Sequence, residues 1–134
     1  MKHVAIVGAS LAGLSAARAL RNQGFDGQLT VVGDEVRRPY DRPPLSKEFL
    51  AGRISEQDLA LEADDDDLGA EWRLGTAATR LDTASGAIEL ADECRIEADG
   101  VVIATGCRAR RWPSPRRTPW PGTATVASLR WPAS

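Results

Sequence analysis

The sequence predicts an α/β fold built on a parallel sheet, and three observations support this prediction. Short apolar runs at residues 3–7 and 100–104 are each followed by a glycine-containing turn, which is typical of buried parallel strands. Residues 11–23 have apolar side chains at helical spacing, rich in alanine, and stop at Gly24. The run QLTVV at residues 28–32 reads as the next strand, so strand, turn, helix and strand form one βαβ unit.

The middle of the chain predicts a loop followed by a small antiparallel meander. Residues 36–45 are basic and proline-rich, and Ser46 is expected to cap a short helix that runs through Ala51. Short strands are expected at residues 72–75, 77–81, 87–90 and 95–98, with a turn at 83–86. The strand at 100–104 is then expected to return to the first sheet. The four aspartates at 64–67 predict a solvated segment, because adjacent carboxylates cannot converge on one metal ion.

Composition excludes several classes of function. The chain is 43% hydrophobic and 27% charged with a net charge of −2, which predicts a soluble globular domain without general attraction to nucleic acid or membranes. The sequence has no run of 18 apolar residues, so no membrane span is expected. Cys94 and Cys107 lack metal-ligand spacing, and the single histidine, His3, cannot form a triad or metal cluster, so no metal site is expected.

The two ends of the chain raise separate questions. The basic, small-residue-rich start has features of a signal peptide, but its apolar run is too short, so a cytoplasmic location is expected. Residues 1–106 hold all 19 acidic residues and 11 basic ones, whereas residues 107–134 hold six arginines and no acid. That last segment also has five of the eight prolines and three of the four tryptophans. We therefore expect a domain over 1–106 and an irregular Arg/Pro/Trp-rich tail over 107–134.

The hexapeptide GASLAG at residues 8–13 differs by one residue from the GxGxxG of a dinucleotide-binding turn. In such a turn Gly8 would allow the tight bend, small Ser10 would admit a pyrophosphate, and Gly13 would allow close helix–strand packing. The following helix would turn its amide groups toward the anion. The hexapeptide alone fits a structural strand–helix turn equally well.

Three further features bear on that choice. Asp34 and Glu35 end the second strand, 21 and 22 residues after Gly13, where an acid accepts hydrogen bonds from an adenosine ribose. The segment RPYDRPPLSK at residues 38–47 combines stiff prolines with the cations Arg42 and Lys47, either as a phosphate-binding loop or as an ordinary surface loop. The strand at 100–104 ends in small residues, which leaves space for a ligand at the sheet edge.

Taken together, GASLAG, RPYDRPPLSK and VVIATG resemble the N-terminal FAD-binding part of the ferredoxin, rubredoxin and putidaredoxin reductase family. The resemblance covers about residues 3–110. It implies a partial Rossmann-like FAD-binding domain of glutathione-reductase type with a β-meander. It also implies an oxidoreductase that passes electrons from NADH through FAD to a ferredoxin or rubredoxin, which serves an oxygenase.

The resemblance also implies roles for individual residues. The pyrophosphate of FAD would be wrapped by Gly8, Ser10, Leu11, Ala12 and Gly13. Asp34 or Glu35 would hold the ribose, the backbone of Ala78 would contact adenine, and Thr105 and Gly106 would lie near the flavin. Arg42 would approach the pyrophosphate, and Lys47 would stand beside the reactive edge of the flavin as the one catalytic residue.

The sequence departs from the family pattern in its length. A complete member adds an NADH-binding domain and a C-terminal interface domain, and neither is expected here, so the chain alone should be an FAD-binding portion with little reductase activity. We interpret the tail as the product of a frameshift or truncation. The alternatives are a non-catalytic nucleotide-binding module and an inert fragment.

Overall fold

The computed structural model describes residues 1–61 and 68–107. Within these residues it contains one α-helix, two short 3₁₀ helices at Pro43–Ser46 and Gln57–Leu59, and seven strands. The elements in chain order are β1 (His3–Val7), α1 (Leu11–Asn22), β2 (Gln28–Gly33), β3 (Ala70–Leu74), β4 (Ala78–Asp82), β5 (Ala87–Leu90), β6 (Arg95–Glu97) and β7 (Gly100–Ile103). The predicted α/β class is confirmed.

The main sheet has four parallel strands in the order β3-β2-β1-β7. Central β1 buries residues on both faces, because successive side chains of a strand point to opposite sides. On one face Val4 and Ile6 pack against Leu14 of α1. On the other, Ala5 packs with Ile88 of the meander. The sheet is therefore covered on both sides, which explains why β1 is apolar throughout.

Helix α1 lies on the sheet through its small residues. Ser10 precedes the helix in an extended conformation, and its carbonyl accepts the Leu14 N–H at 2.9 Å. Gly13, Leu14 and Ala17 form the buried stripe that a three- and four-residue spacing produces. The helix ends at Asn22, one residue before the predicted end.

The second sheet is the expected antiparallel meander, formed by β4, β5 and β6. Its middle strand buries Ala87, Ile88 and Leu90 against the main sheet. The predicted turn at 83–86 links β4 and β5, and Gly86 there adopts a positive φ of 70°. β7 then returns to the main sheet parallel to β1, as predicted.

One predicted strand belongs to the other sheet. The residues at 72–75 were expected in the meander, but β3 is the edge strand of the parallel sheet, with Trp72 opposite Val31 of β2. Trp72 packs on the core beneath α1. A short strand of this composition fits either sheet, so its partner depends on tertiary packing.

The predicted helix from Ser46 to Ala51 is wrong. The structure has instead a 3₁₀ helix at Pro43–Ser46, which begins on two prolines. Prolines suit the first turn because their missing N–H groups would have no partner there. Lys47 then adopts φ −125° and ψ −98°, outside the helical region, so the helix ends where it was expected to begin.

Two predicted segments fall outside the described residues. These are the aspartates at 64–67 and nearly all of the tail at 107–134, of which only Cys107 is described. The division of the chain at residue 106 therefore stays a prediction. Among the described residues, no helix is long and apolar enough to cross a membrane.

Candidate functional site

The carboxyl ends of β1, β2 and β7 surround one cavity of about 310 Å³. This glycine-turn cavity is where a parallel sheet binds ligands, because the loops that follow neighbouring strands diverge there. It brings together five residues that the sequence predicted for a site, although they lie far apart in the chain. The lining is Val7, Gly8, Val32, Gly33, Asp34, Ala77, Ala78, Thr105, Gly106 and Cys107.

Gly8 is required by the close approach of two backbone segments. It adopts φ +121°, and a Cβ built there would lie 2.2 Å from the carbonyl oxygen of Ala104. Its N–H donates to the Val32 carbonyl at 2.8 Å, so the turn is tied to β2 as well. Any side chain at this position would push the turn away from the end of β7.

Two more glycines keep the turn close to its neighbours. A Cβ on Gly13 would lie 1.9 Å from the Gly8 carbonyl oxygen, as the predicted role in helix–strand packing requires. A Cβ on Gly33 would lie 2.5 Å from the Cβ of Ala9. Sequence reasoning missed Gly33, although a glycine that ends a buried strand is itself a signal of close backbone approach.

Helix α1 begins directly after this turn. The amide groups of its first turn have no partner within the helix, and they carry the positive end of the helix dipole. Ser10 makes no side-chain cap hydrogen bond, which leaves its hydroxyl unused by the helix. Leu11 is 59% exposed despite being apolar. Of the five residues predicted to wrap a pyrophosphate, only Gly8 lines the glycine-turn cavity; Ser10, Leu11, Ala12 and Gly13 do not.

The two acidic residues after β2 face different cavities. Asp34 lines the glycine-turn cavity. Glu35 lines a second cavity of about 530 Å³, whose walls include Arg37, Tyr40 and Leu59. Sequence spacing could not separate the two acids, because it placed both within one residue of the expected position.

The proline-rich loop is anchored to the rest of the domain. Pro39 is fully buried, and Tyr40 forms an isolated antiparallel bridge with Ala60. The guanidinium of Arg38 lies over the ring of Trp72, 4.3 Å from its centroid. These contacts fix the loop on the domain and are compatible with both predicted alternatives, a phosphate-binding loop and an ordinary surface loop.

The two predicted loop cations line neither cavity. Arg42 forms a salt bridge with Glu35, and its guanidinium lies 5.5 Å from the ring centroid of Tyr40. Lys47 is exposed just after the 3₁₀ helix. Their predicted contacts with a pyrophosphate and a flavin stay predictions.

The described residues contain no cluster of three or more His, Cys, Asp or Glu that could hold a metal ion. Cys94 and Cys107 are both exposed and unpaired with each other. The chemistry that the glycine-turn cavity offers is instead that of an anion-binding turn beside a carboxylate. That combination suits a dinucleotide, whose diphosphate and ribose need opposite kinds of partner.

Comparison with known proteins agrees with this geometry. A family model described as pyridine nucleotide-disulphide oxidoreductase matches residues 2–129. The chain belongs to this family. The match extends beyond the glycine turn to both sheets and includes residues of the predicted tail.

Individual members of the family are similar over most of this chain. The ferredoxin–NAD(+) reductase subunit of the benzene 1,2-dioxygenase system of Pseudomonas putida is 42% identical over 125 residues, 92% of this chain and 30% of that protein. Rhodocoxin reductase of Rhodococcus erythropolis is 40% identical over 114 residues, 84% of this chain and 27% of that protein. The chain thus spans less than a third of the length of these relatives.

A solved structure has the same fold. The covalent complex of putidaredoxin reductase with putidaredoxin superposes with a TM-score of 0.77 at 35% identity, covering 84% of this chain and 27% of that chain. The resemblance stated from the sequence motifs is therefore confirmed at the level of family and fold.

Proposed function

We propose that this chain binds FAD in the glycine-turn cavity and is the FAD-holding portion of an NADH-dependent reductase of a ferredoxin or rubredoxin. The observation that carries the proposal is the joint lining of that cavity by Gly8, Asp34, Ala78 and the Thr105–Gly106 strand end. These residues come from four separate parts of the chain. Relatives named as ferredoxin–NAD(+) reductases of dioxygenase systems support the choice of electron acceptor.

The residues present fit the diphosphate of FAD. Glycine at positions 8 and 13 keeps this turn tight, since a Cβ at either position would lie within 2.2 Å of a backbone carbonyl oxygen. The amide groups at the start of α1 would donate to phosphate oxygens, and the Ser10 hydroxyl offers another donor. The fit therefore depends on backbone groups, which hold a charged ligand without adding a charge of their own.

The remaining predicted contacts concern the two ends of the dinucleotide. Asp34 would accept hydrogen bonds from the ribose hydroxyls, and Ala78 would face the adenine. Thr105 and Gly106 would lie near the flavin, and Lys47 would supply a positive charge beside it. FAD itself supplies the chemistry, because a flavin accepts a hydride and releases electrons to a one-electron acceptor such as an iron–sulfur protein.

Purification of the full chain tests the proposal. We expect saturable FAD binding, seen as flavin absorbance near ~450 nm that stays with the protein. The variant Asp34→Asn should bind FAD about tenfold more weakly, because a neutral amide is a poorer acceptor for two hydroxyls. A folded chain that stays colourless and binds no added FAD would overturn the proposal.

A second measurement separates an enzyme from a binding module. We expect this chain alone, loaded with FAD, to reduce a dye with NADH far more slowly than a complete reductase does. Rapid NADH-dependent dye reduction by the chain would contradict that expectation. It would leave the FAD site itself intact.

A further inference from the structure

We infer that Glu35 is a positioning residue, which acts with Tyr40 and Arg42 to fix the proline loop that presents Lys47. Its neighbour Asp34 alone would face the dinucleotide. The role of Lys47 in this scheme rests on the FAD site proposed above. The existence of the cluster of Glu35, Tyr40 and Arg42 does not depend on the FAD site, and it can be tested without FAD.

Each member of the cluster contacts the other two. The Tyr40 hydroxyl donates to one Glu35 carboxylate oxygen at 2.9 Å, and Arg42 donates to the other. The Arg42 guanidinium also lies over the Tyr40 ring. Both carboxylate oxygens of Glu35 therefore accept a hydrogen bond from the loop, and Glu35 does not line the glycine-turn cavity, which Asp34 does.

The backbone on either side of Tyr40 is fixed as well. The Asp41 N–H donates to the Leu59 carbonyl at 2.8 Å, and the Leu61 N–H donates to the Pro39 carbonyl at 3.1 Å. These two bonds clamp the loop to the segment at residues 59–61. Tyr40 is consequently a fixed point, from which Glu35 can set the position of Arg42.

The connection from Arg42 to Lys47 is short and stiff. The Arg42 carbonyl accepts the Leu45 N–H at 3.0 Å, and the Pro44 carbonyl accepts the Lys47 N–H at 3.0 Å. The intervening Pro43 and Pro44 have fixed φ angles. Displacement of Arg42 would therefore be passed along this single 3₁₀ turn to Lys47.

Titration of Tyr40 tests the cluster directly, because Tyr40 is the only tyrosine in the sequence. Burial raises the pKa of its phenol, the hydrogen bond to Glu35 raises it further, and the nearby Arg42 and Arg37 lower it. Phenolate absorbance should therefore appear at lower pH in Glu35→Gln than in the parent chain. The isosteric control Asp34→Asn should leave the titration unchanged.

A Glu35→Gln chain that stays folded, by circular dichroism at each pH, and still titrates like the parent would overturn the cluster. So would an Asp34→Asn chain whose phenol shifts as much as that of Glu35→Gln. Neither outcome depends on FAD.

A double-mutant cycle on FAD affinity tests the link to Lys47. We expect Glu35→Gln and Lys47→Ala each to weaken FAD binding about three- to tenfold. The double variant should bind FAD with nearly the same affinity as whichever single variant binds it less tightly. The effects of Asp34→Asn and Lys47→Ala should instead multiply, because the two residues would act at separate ends of the ligand.

The results distinguish the two proposals. If the effects of Glu35→Gln and Lys47→Ala multiply, Glu35 does not act through Lys47 and the positioning role is wrong. If the folded parent chain binds no FAD, the proposed function fails, while the Tyr40 titration still decides whether the cluster forms.

Discussion

The two ends of the four-stranded parallel sheet differ in the groups that connect their elements. At the amino end, two side chains join separate elements: Arg21 donates to backbone carbonyl groups, and Asp99 accepts from backbone N–H groups. Glycines bring backbones together at both ends, Gly27 at the amino end and Gly8 at the carboxyl end, but a cavity of about 310 Å³ lies between the strand ends at the carboxyl end. Under the function proposed above, the amino end serves stability and the carboxyl end serves the ligand.

Arg21 shows how the amino end is closed. It lies in the last turn of α1, where a positive charge also suits the helix dipole. Its guanidinium donates to four carbonyl oxygens at 2.7–3.2 Å, those of Phe25, Gly27, Leu68 and Gly69. One side chain thus joins the end of the helix to the starts of β2 and β3.

Gly8→Ala should have the largest effect of the substitutions considered, and this effect should be a loss of FAD binding at the carboxyl end of the sheet. The new Cβ would collide with the Ala104 carbonyl, so the turn must move and its backbone donors would lose their position toward a diphosphate. We expect FAD affinity to fall about a hundredfold, as the loss of one or two hydrogen bonds to a charged group predicts, measured by fluorescence titration. Gly24→Ala is the matched control, because Gly24 also has positive φ but open space around it.

If Gly24→Ala weakened FAD binding as much as Gly8→Ala, the loss would reflect general strain at a positive-φ residue. The special role of the glycine turn would then be wrong. Circular dichroism shows whether each variant is folded at the temperature of the titration.

Arg21→Ala should have the next largest effect, and on stability. The substitution removes the hydrogen bonds that the charged guanidinium donates to four carbonyl oxygens. It should therefore lower the free energy of unfolding by about 2–3 kcal/mol. Urea unfolding measures this change, and FAD affinity of the folded fraction should stay the same. Arg21→Lys keeps the charge but not the fork of donors, so it should recover only a small part of the loss.

An Arg21→Ala chain with parental stability would contradict the account of the amino end. A selective loss of FAD affinity would contradict the separation of the two ends.

Asp99 should give the smallest effect, visible through its pH dependence. Its carboxylate accepts the backbone N–H groups of Lys2 and His3 at 2.6 and 3.0 Å, and these bonds lower its pKa. A carboxyl group with a lowered pKa in the folded state stabilises the fold above its unfolded pKa of about 3.9. The contribution disappears as the pH falls through the lower, folded pKa.

Urea unfolding of Asp99→Asn and the parent chain checks this sign. The parent should be more stable at pH 6, and the difference should shrink as the pH falls below about 4. Asp26→Asn, at another exposed aspartate, is the control. A difference that grows on acidification would contradict the account.

The sequence could predict the carboxyl end because its features are local. The glycine spacing of residues 8–13, the helix behind it and the acid after β2 all follow from short patterns. Gly13 packs against the Gly8 carbonyl within one turn, so its requirement is local, whereas the close approach of Gly8 to Ala104 joins distant parts of the chain. Which of Asp34 and Glu35 faces the cavity could not be predicted, since both follow the end of β2 at Gly33 and the path of the chain after the strand decides it.

The contacts that could not be predicted join residues far apart in the chain. Asp99 contacts Lys2 and His3, and Arg38 stacks on Trp72. The assignment of β3 to the wrong sheet has the same origin, because the partner of a five-residue strand is chosen by packing. The expected helix after Ser46 failed for a local reason, since Pro43 and Pro44 start the helical turn earlier.

Amide hydrogen exchange of the full chain, with and without FAD, shows whether the ligand acts at one end of the sheet only. FAD should slow exchange at residues 8–14, 33–34 and 104–106, and exchange at the amino end of the sheet, at residues 2–3, 28 and 99–100, should stay unchanged. Saturable FAD binding with protection confined to the amino end, or to neither end, would contradict this expectation.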